Sequence, residues 1–518
     1  MLVLTEGYPE MFPIFFESFT SNYITSCLTG VCTLVLFVYY YWWKLPHPRY
    51  PPGVRGIPVL GALPFLGKFA HKDIMRWSRE KYGPIMSVRF GQKDSVVLND
   101  YESIYEAMVK QGPAFRSRPT MKLITSYSNG YGFGFAEGHT KYMELRHFTF
   151  KILRGFGIGG RYLEDRISDL AQELVQDFKK LDGKATDVRM IVATTIGNVI
   201  ASIVLGKKYH PKDKDFQRHL QLILNNFGNE ETASYILCMM YFPSLRHIPP
   251  FKNAWKTFMD EHFEQLGFCR KEIEEHKNNL NVNDPKDFVD AFLVEMKKHS
   301  PEGSWFHEES LILCVIDLFF GGTETSTSTV MWAMVVLINF PQIQEKLHKE
   351  IVNATGEALP NLDHRNELPL FQAFIQELYR CMTLAPLGVQ HQTTKDADIG
   401  GYCIPKDTVV LTNIHAVHHD PKIWKNPSEF NIYRHIDQDG KFIPSRKMIP
   451  FGIGCRSCLG EKLARSEVFL LLANIIKGFD ILPDPESKEL PDYKDGINGF
   501  LYVPYDYKLV AKPRTVNI

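Results

Sequence analysis

Two cysteines, Cys455 and Cys458, stand three residues apart in PFGIGCRSCLG (450–460), with Arg456 between them and glycines on either side. A thiolate is both a nucleophile and a soft metal ligand. Glycine costs backbone entropy, which suits a place where the chain must run close to something flat or bulky. Three chemistries compete for this stretch. A structural zinc site requires two more ligands at similar spacing, and the chain has no second C-x-x-C. A dithiol redox site requires a βαβ setting. The third option makes one cysteine a ligand and the other a bystander. Elsewhere, Gly155, Gly157 and Gly160 satisfy G-x-G-x-x-G. A dinucleotide loop, however, needs a strand before it and a ribose-binding acid beyond it. RHFTFKILR reads equally as strand or helix, so a glycine-rich bend between helices is the better reading.

The elements that must position such a ligand are mostly helical. AQELVQDFKKL (171–181), HFEQLGFCRKEIEEHK (262–277) and FQAFIQELYRCM (371–382) carry apolar residues at three- and four-residue spacing. Strand-like pieces are short: IMSVRF (85–90), SVVLN (95–99), DTVVLTN (407–413) and DYKLVAK (506–512). The expected fold is mainly α with a small β-sheet region. EKLARSEVFLLLANIIKGF (461–479) follows Cys458 directly. The positive end of that helix would stabilise an anionic sulfur and lower the thiol pKa. GGTETS (321–326) places two glycines and three hydroxyl residues where an ordinary buried helix would not. Glu377 and Arg380, three apart, share a helix face.

The chain has 518 residues, with 59 Lys plus Arg against 59 Asp plus Glu, so its formal charge is zero. That balance argues against a nucleic-acid binder. Nine cysteines at scattered spacings are no disulfide scaffold and fit a reducing compartment. Residues 24–43, ITSCLTGVCTLVLFVYYYWW, carry no formal charge and end in an aromatic belt. At about 1.5 Å per residue they span roughly 30 Å, a bilayer's hydrocarbon core. Glu6, Glu10 and Glu17 precede them; Lys44, Arg49 and Arg55 follow. The positive-inside rule then puts residues 44–518 in the cytoplasm. A cleaved signal peptide fits less well, because a basic start and a small-residue cleavage site are missing. The expected organisation is a short lumenal N-terminus (1–22), a transmembrane signal anchor (23–43), a proline-rich hinge (44–58) and a catalytic domain (59–518). Under this topology Asn353, in a formal glycosylation sequon, stays unmodified.

Phe451-Gly-Ile-Gly454-Cys-Arg456-Ser-Cys458-Leu-Gly460 resembles the haem-binding signature F-x-x-G-x-R-x-C-x-G of the cytochrome P-450 enzymes. Every fixed position is present. The resemblance implies that Cys458 is the thiolate ligand of haem b, that Cys455 occupies a variable position, that Phe451 shields the sulfur and that Arg456 pairs with a propionate. Gly454 and Gly460 would let the backbone approach the porphyrin. GGTETS matches the oxygen-activation motif, which gives Thr325 and Glu324 the proton-delivering roles. Glu377-x-x-Arg380 matches the family's E-x-x-R, and Phe430 and Arg434 match the segment that completes it, while Ile432, Tyr433 and His435 depart from it. Tyr142-x-x-x-Arg146 stands where the family has W-x-x-x-R, with a phenol in place of the indole. His391 stands at a propionate-binding position. HFTFKILRGFGIGG, DPKDFVDAFLVEM and PPGVRGIPVLG resemble the microsomal family 2 branch. The resemblance spans residues 40–518.

The family fold would place haem between the GGTETS helix and the helix after Cys458. The implied reaction is RH + O₂ + 2e⁻ + 2H⁺ → ROH + H₂O on a lipophilic molecule: a fatty acid, a sterol or a xenobiotic. Electrons would come from NADPH–cytochrome P-450 reductase in the endoplasmic reticulum membrane, with cytochrome b5 as a second donor. Lys141, Lys447 and Lys462 would face that partner. Phe319, Phe320, Leu384, Leu387, Phe500 and Leu501 are the expected pocket residues. Two alternatives keep the fold: a peroxide isomerase or dehydratase independent of O₂, and a haem-thiolate sensor or carrier without turnover.

Overall fold

A computed structural model describes residues 11–120, 123, 125, 128–156, 161–228, 230–300 and 303–514. Residues 1–10, and Gly157 and Gly160 of the glycine-rich run, lie outside the described residues. The longer helices are α1 (Met11–Trp43), α2 (Thr140–Gly155), α3 (Arg161–Lys179), α4 (Arg189–Val204), α5 (Lys214–Gly228), α6 (Glu230–Tyr241), α7 (Phe251–Asn279), α8 (Phe288–Met296), α9 (Glu308–Asn339), α10 (Pro341–Thr355), α11 (Pro369–Cys381) and α12 (Glu461–Gly478). A five-stranded sheet holds β1 (Gly53–Val54), β2 (Ile85–Phe90), β3 (Lys93–Leu98), β4 (His391–Gln392) and β5 (Val409–Thr412) in the order β1-β2-β3-β5-β4. Leu509–Pro513 pairs antiparallel with Phe479–Pro483. The helix-rich architecture with a small sheet region is therefore as the periodicity indicated.

Helix α9 is the axis of the main core. From Ser326 to Ile338 every residue is buried. Its 330–338 part is apolar on all sides, because helices pack around it. Helix α4, also buried along most of its length, lies against α9, and α12 packs on α3, α9 and α10. Gly322 makes the α4 contact possible, because a Cβ there would lie 2.3 Å from Ile200 Cδ1. In the sheet, β5 runs parallel to β3 and antiparallel to β4, which sets His391 opposite Val410.

The helix through the expected anchor is longer than the sequence suggested, starting at Met11 rather than near residue 23. Its last turn is fixed to the globular part. Arg55 Nε and Arg89 Nη1 donate to the Trp42 carbonyl at 3.0 and 2.8 Å, and Arg55 Nη2 donates to the Lys44 carbonyl at 3.0 Å. Cations at a helix C-terminus satisfy carbonyls that have no partner within the helix. Among the described residues no helix is long and apolar enough to cross a membrane.

Candidate active site

The loop before α12 folds by its own hydrogen bonds. Cys458 N donates to the Phe451 carbonyl at 2.9 Å and Ser457 N to the Gly454 carbonyl at 3.1 Å. Gly454 has φ of 86°, and a Cβ there would lie 2.0 Å from the Met108 carbonyl oxygen. The close approach expected at Gly454 is thus to protein backbone. Gly460, by contrast, meets nothing within 4 Å of its Cβ direction and lines a cavity. The two cysteines part company. Both are exposed, but Cys458 lines that cavity of about 570 Å³, whereas Cys455 does not and has its Sγ near the Gly112 carbonyl. Cys458 is exposed where it lines the cavity. Desolvation by the surrounding protein raises its thiol pKa, opposed by the Gly460 backbone N–H and by Arg146. Desolvation outweighs the expected lowering by the helix end, and Glu461 at the α12 N-terminus adds to the rise.

The opposite wall is α9. Leu313, Ile316, Asp317, Phe320, Gly321 and Thr325 line the cavity at helical spacing. Gly321 is open to it, with nothing within 4 Å of its Cβ direction. Thr325 Oγ1 donates to the Gly321 carbonyl at 2.7 Å. Glu324 is fully buried and does not line the cavity. Its Oε1 accepts from Ser328 at 2.7 Å and lies 3.8 Å from Arg189, while Oε2 has no partner. Burial pushes its pKa up to about 7, with Arg189 and Ser328 opposing. Asp317 accepts from the backbone N–H groups of Phe133 and Gly134, tying α9 to the loop before α2.

Between the two walls stands a group of cations. Arg456 donates to the carbonyls of Arg116, Phe133 and Ala136, Arg146 to that of Ser457, and Arg118 to those of Gly134, Val389 and Gln390. Among the described residues none of the three pairs with a carboxylate. Burial and the neighbouring Arg456 lower Arg118 to about 9, and burial lowers Arg456. A guanidinium has five N–H donors, so each retains capacity. Tyr142 lies under Arg456 at 3.7 Å from ring to guanidinium carbon, and its buried hydroxyl has no partner. His391 Nδ1 bonds the Phe115 carbonyl at 2.8 Å. A carbonyl only accepts, so Nδ1 carries the hydrogen and burial keeps the ring neutral.

This set fits a flat dianionic cofactor with a soft metal. A sulfur faces the cavity from below, an open glycine turn faces it from above, and unsatisfied cations and a phenol wait at its side. Sequence reasoning missed Arg118. Its signal was weak: Pro119 holds residue 118 extended, and nothing in the motif separates it from Arg116. It also missed Glu467, which lines the cavity from α12 and accepts from Ser326 at 2.8 Å, and whose pKa burial raises to about 8. An acid four residues after Leu463, on the apolar face of α12, was the available signal. Of the expected pocket residues, Phe320, Leu384, Phe500 and Leu501 line the cavity. Phe319 does not, being packed edge-on to His219, and Leu387 packs against the sheet. Lys447 is already paired with Glu102.

The Cytochrome P450 family model matches residues 51–511, and the chain belongs to that family. It is 34% identical over 468 residues to cytochrome P450 2B4 of Oryctolagus cuniculus, covering 89% of this chain and 94% of that protein. It is 33% identical to cytochrome P450 2C5 of the same species over 93% of this chain and 98% of that one, and 33% identical to cytochrome P450 2B19 of Mus musculus over 89% and 94%. The relatives are microsomal family 2 enzymes, so the chain is a monooxygenase oxidoreductase whose cofactor is haem held by a cysteine thiolate.

Proposed function

We propose that this chain inserts one atom of dioxygen into a lipophilic small molecule, using NADPH-derived electrons delivered by a flavoprotein reductase at the cytoplasmic face of the endoplasmic reticulum membrane. The observation that carries the reading is the meeting of Cys458 and the Gly321–Thr325 turn across one apolar cavity. Haem, when bound, supplies the activation of dioxygen and its transfer to a C–H bond. The protein's own residues do the rest. Cys458 gives up its proton on ligation, helped by the Gly460 N–H and Arg146. Phe451, packed edge-on to Tyr379 and 4.8 Å from the Arg465 guanidinium, excludes water from the sulfur side. Arg118, Arg146, Arg456 and the Tyr142 hydroxyl hold the propionates. His391 presents Nε2 and joins them once a proton is shared. Thr325 Oγ1 holds a proton at the cavity wall. Glu324, titrating near neutrality beside Arg189 and away from the cavity, would return that proton through intervening water.

The uncharged residues 24–43 within α1 support a single-pass anchor, with the two arginine clamps on Trp42 setting the angle of the catalytic domain. Reconstitution with reductase, NADPH and isotopically labelled dioxygen tests the reaction. Label should enter the product, and Thr325→Ala should lower product per NADPH by about 100-fold. Product formation from a peroxide alone, without NADPH, would favour the isomerase alternative. A glycan on Asn353, exposed on α10, would reverse the topology.

A further inference from the structure

The cavity is lined mostly by apolar side chains, including Phe133, Ile236, Met240, Ile316 and Phe500, yet one wall carries an amide with no use in the fold. Phe258, His262 and Gln265 line the cavity from one face of α7, spaced four and three residues apart. Gln265 is 1% exposed, and neither its Oε1 nor its Nε2 meets a protein partner. Buried amides are nearly always paired, and an unpaired one has to be explained. A ligand that supplies the missing partner explains it, because pairing recovers the desolvation cost of both atoms at once.

We propose that Gln265 is a specificity-determining residue that recognises a neutral hydroxyl group on an otherwise apolar substrate; this inference rests on the monooxygenase reading above. The carboxamide offers one acceptor and two donors, and a hydroxyl can donate to the first while accepting from the second. A ketone engages only the donor side. An ionised carboxylate would engage the donors but leave its charge uncompensated. Among the described lining residues the arginines are Arg118, Arg146 and Arg456, whose free donors the monooxygenase reading gives to the propionates, and no lysine lines the cavity. Of the polar side chains that α9 offers, Asp317 already accepts two backbone N–H groups, Thr325 donates to the Gly321 carbonyl and Ser326 donates to Glu467. The substrate class is therefore a hydroxylated lipid with the dimensions of a sterol or long-chain alcohol, rather than an ionised fatty acid.

The test uses haem-loaded full-length protein whose reduced carbon monoxide spectrum first establishes thiolate ligation, so that failure there is separable from failure here. Binding of 1-decanol, decane and decanoate is read from the haem spectral shift in wild type, Gln265→Leu and Gln265→Met. The ratio of decane to decanol dissociation constants should fall about ten-fold in both variants, the size of one buried hydrogen bond. Decanoate should bind wild type more weakly than decanol. Thermal midpoints should hold or rise in the variants, because an unpaired amide is being removed. An unchanged decane-to-decanol ratio would overturn the proposal, as would a large drop in the thermal midpoint, which would give Gln265 a structural role. Tighter binding of decanoate than of decanol would overturn the neutral hydroxyl as the recognised group.

Discussion

Arg380 and Arg434 around Glu377, and Arg118, Arg146 and Arg456 along the cavity, are all largely enclosed guanidinium groups, yet only the first pair has an anion. Glu377 Oε2 accepts from Arg380 Nε at 2.8 Å and from His435 Nε2 at 2.9 Å, and its Oε1 accepts from Arg380 Nη2, Arg434 Nε and Asn431 N at 2.9, 3.0 and 2.8 Å. The remaining Arg380 donors reach the carbonyls of His418, Pro427 and Glu429. Nothing is left over. The second group bonds only to carbonyls, so its positive charge is uncompensated in a partly dry setting. A closed cluster of buried charge holds segments together, whereas an open one marks where a charged ligand belongs. The Glu377 network joins α11 to the segment leading towards the cysteine loop. The open arginines face the space above that loop.

The difference can be broken from either side. The largest effect belongs to the closed cluster: Glu377→Ala leaves two guanidinium groups and a histidine buried without their anion, and should cost about 3–5 kcal/mol in denaturant unfolding. A third group, Glu467, is a buried acid with no cation beside it. Burial raises its pKa to about 8, opposed only by Ser326. Its folded pKa lies above the ordinary 4.5, so its contribution to stability is intact below that value and is lost as pH rises through 8. Between pH 5 and 7 wild type should lose roughly 2 kcal/mol relative to Glu467→Gln. Glu377 runs the other way. Burial would raise it, but Arg380 and His435 hold it down at about 2, so its contribution is present above 4.5 and disappears as pH falls through 2. The smallest effect is on the open cluster. Arg118→Met should leave apoprotein stability within about 1 kcal/mol of wild type, or raise it. Hemin affinity, followed by absorbance titration, should nevertheless fall about ten-fold. Equal destabilisation by Glu377→Ala and Arg118→Met would erase the distinction.

The same contrast explains what could be read beforehand. Local patterns were legible: the helical spacings, the four short strands and the Cys458, Thr325 and Arg456 motifs lie on elements where the structure puts them. Glu377, Arg380 and Arg434 were expected together. His435, seen only as a departure from the family segment, turns out to be their fourth member. What stayed hidden depends on long-range packing. Whether Glu324 or Ser326 faces the cavity depends on which side of α9 meets α4 and α12. Gly454 approaches Met108, more than three hundred residues away in sequence. The thiol shift at Cys458 follows from enclosure, which no motif reports.

The reduced-plus-carbon-monoxide difference spectrum of the purified full-length chain tests the central claim most directly. Wild type and Cys455→Ser should show the red-shifted Soret band of a thiolate-ligated haem, and Cys458→Ser should lose it. A band at the position of histidine-ligated haem in folded wild type, or a thiolate band that survives Cys458→Ser, would contradict it.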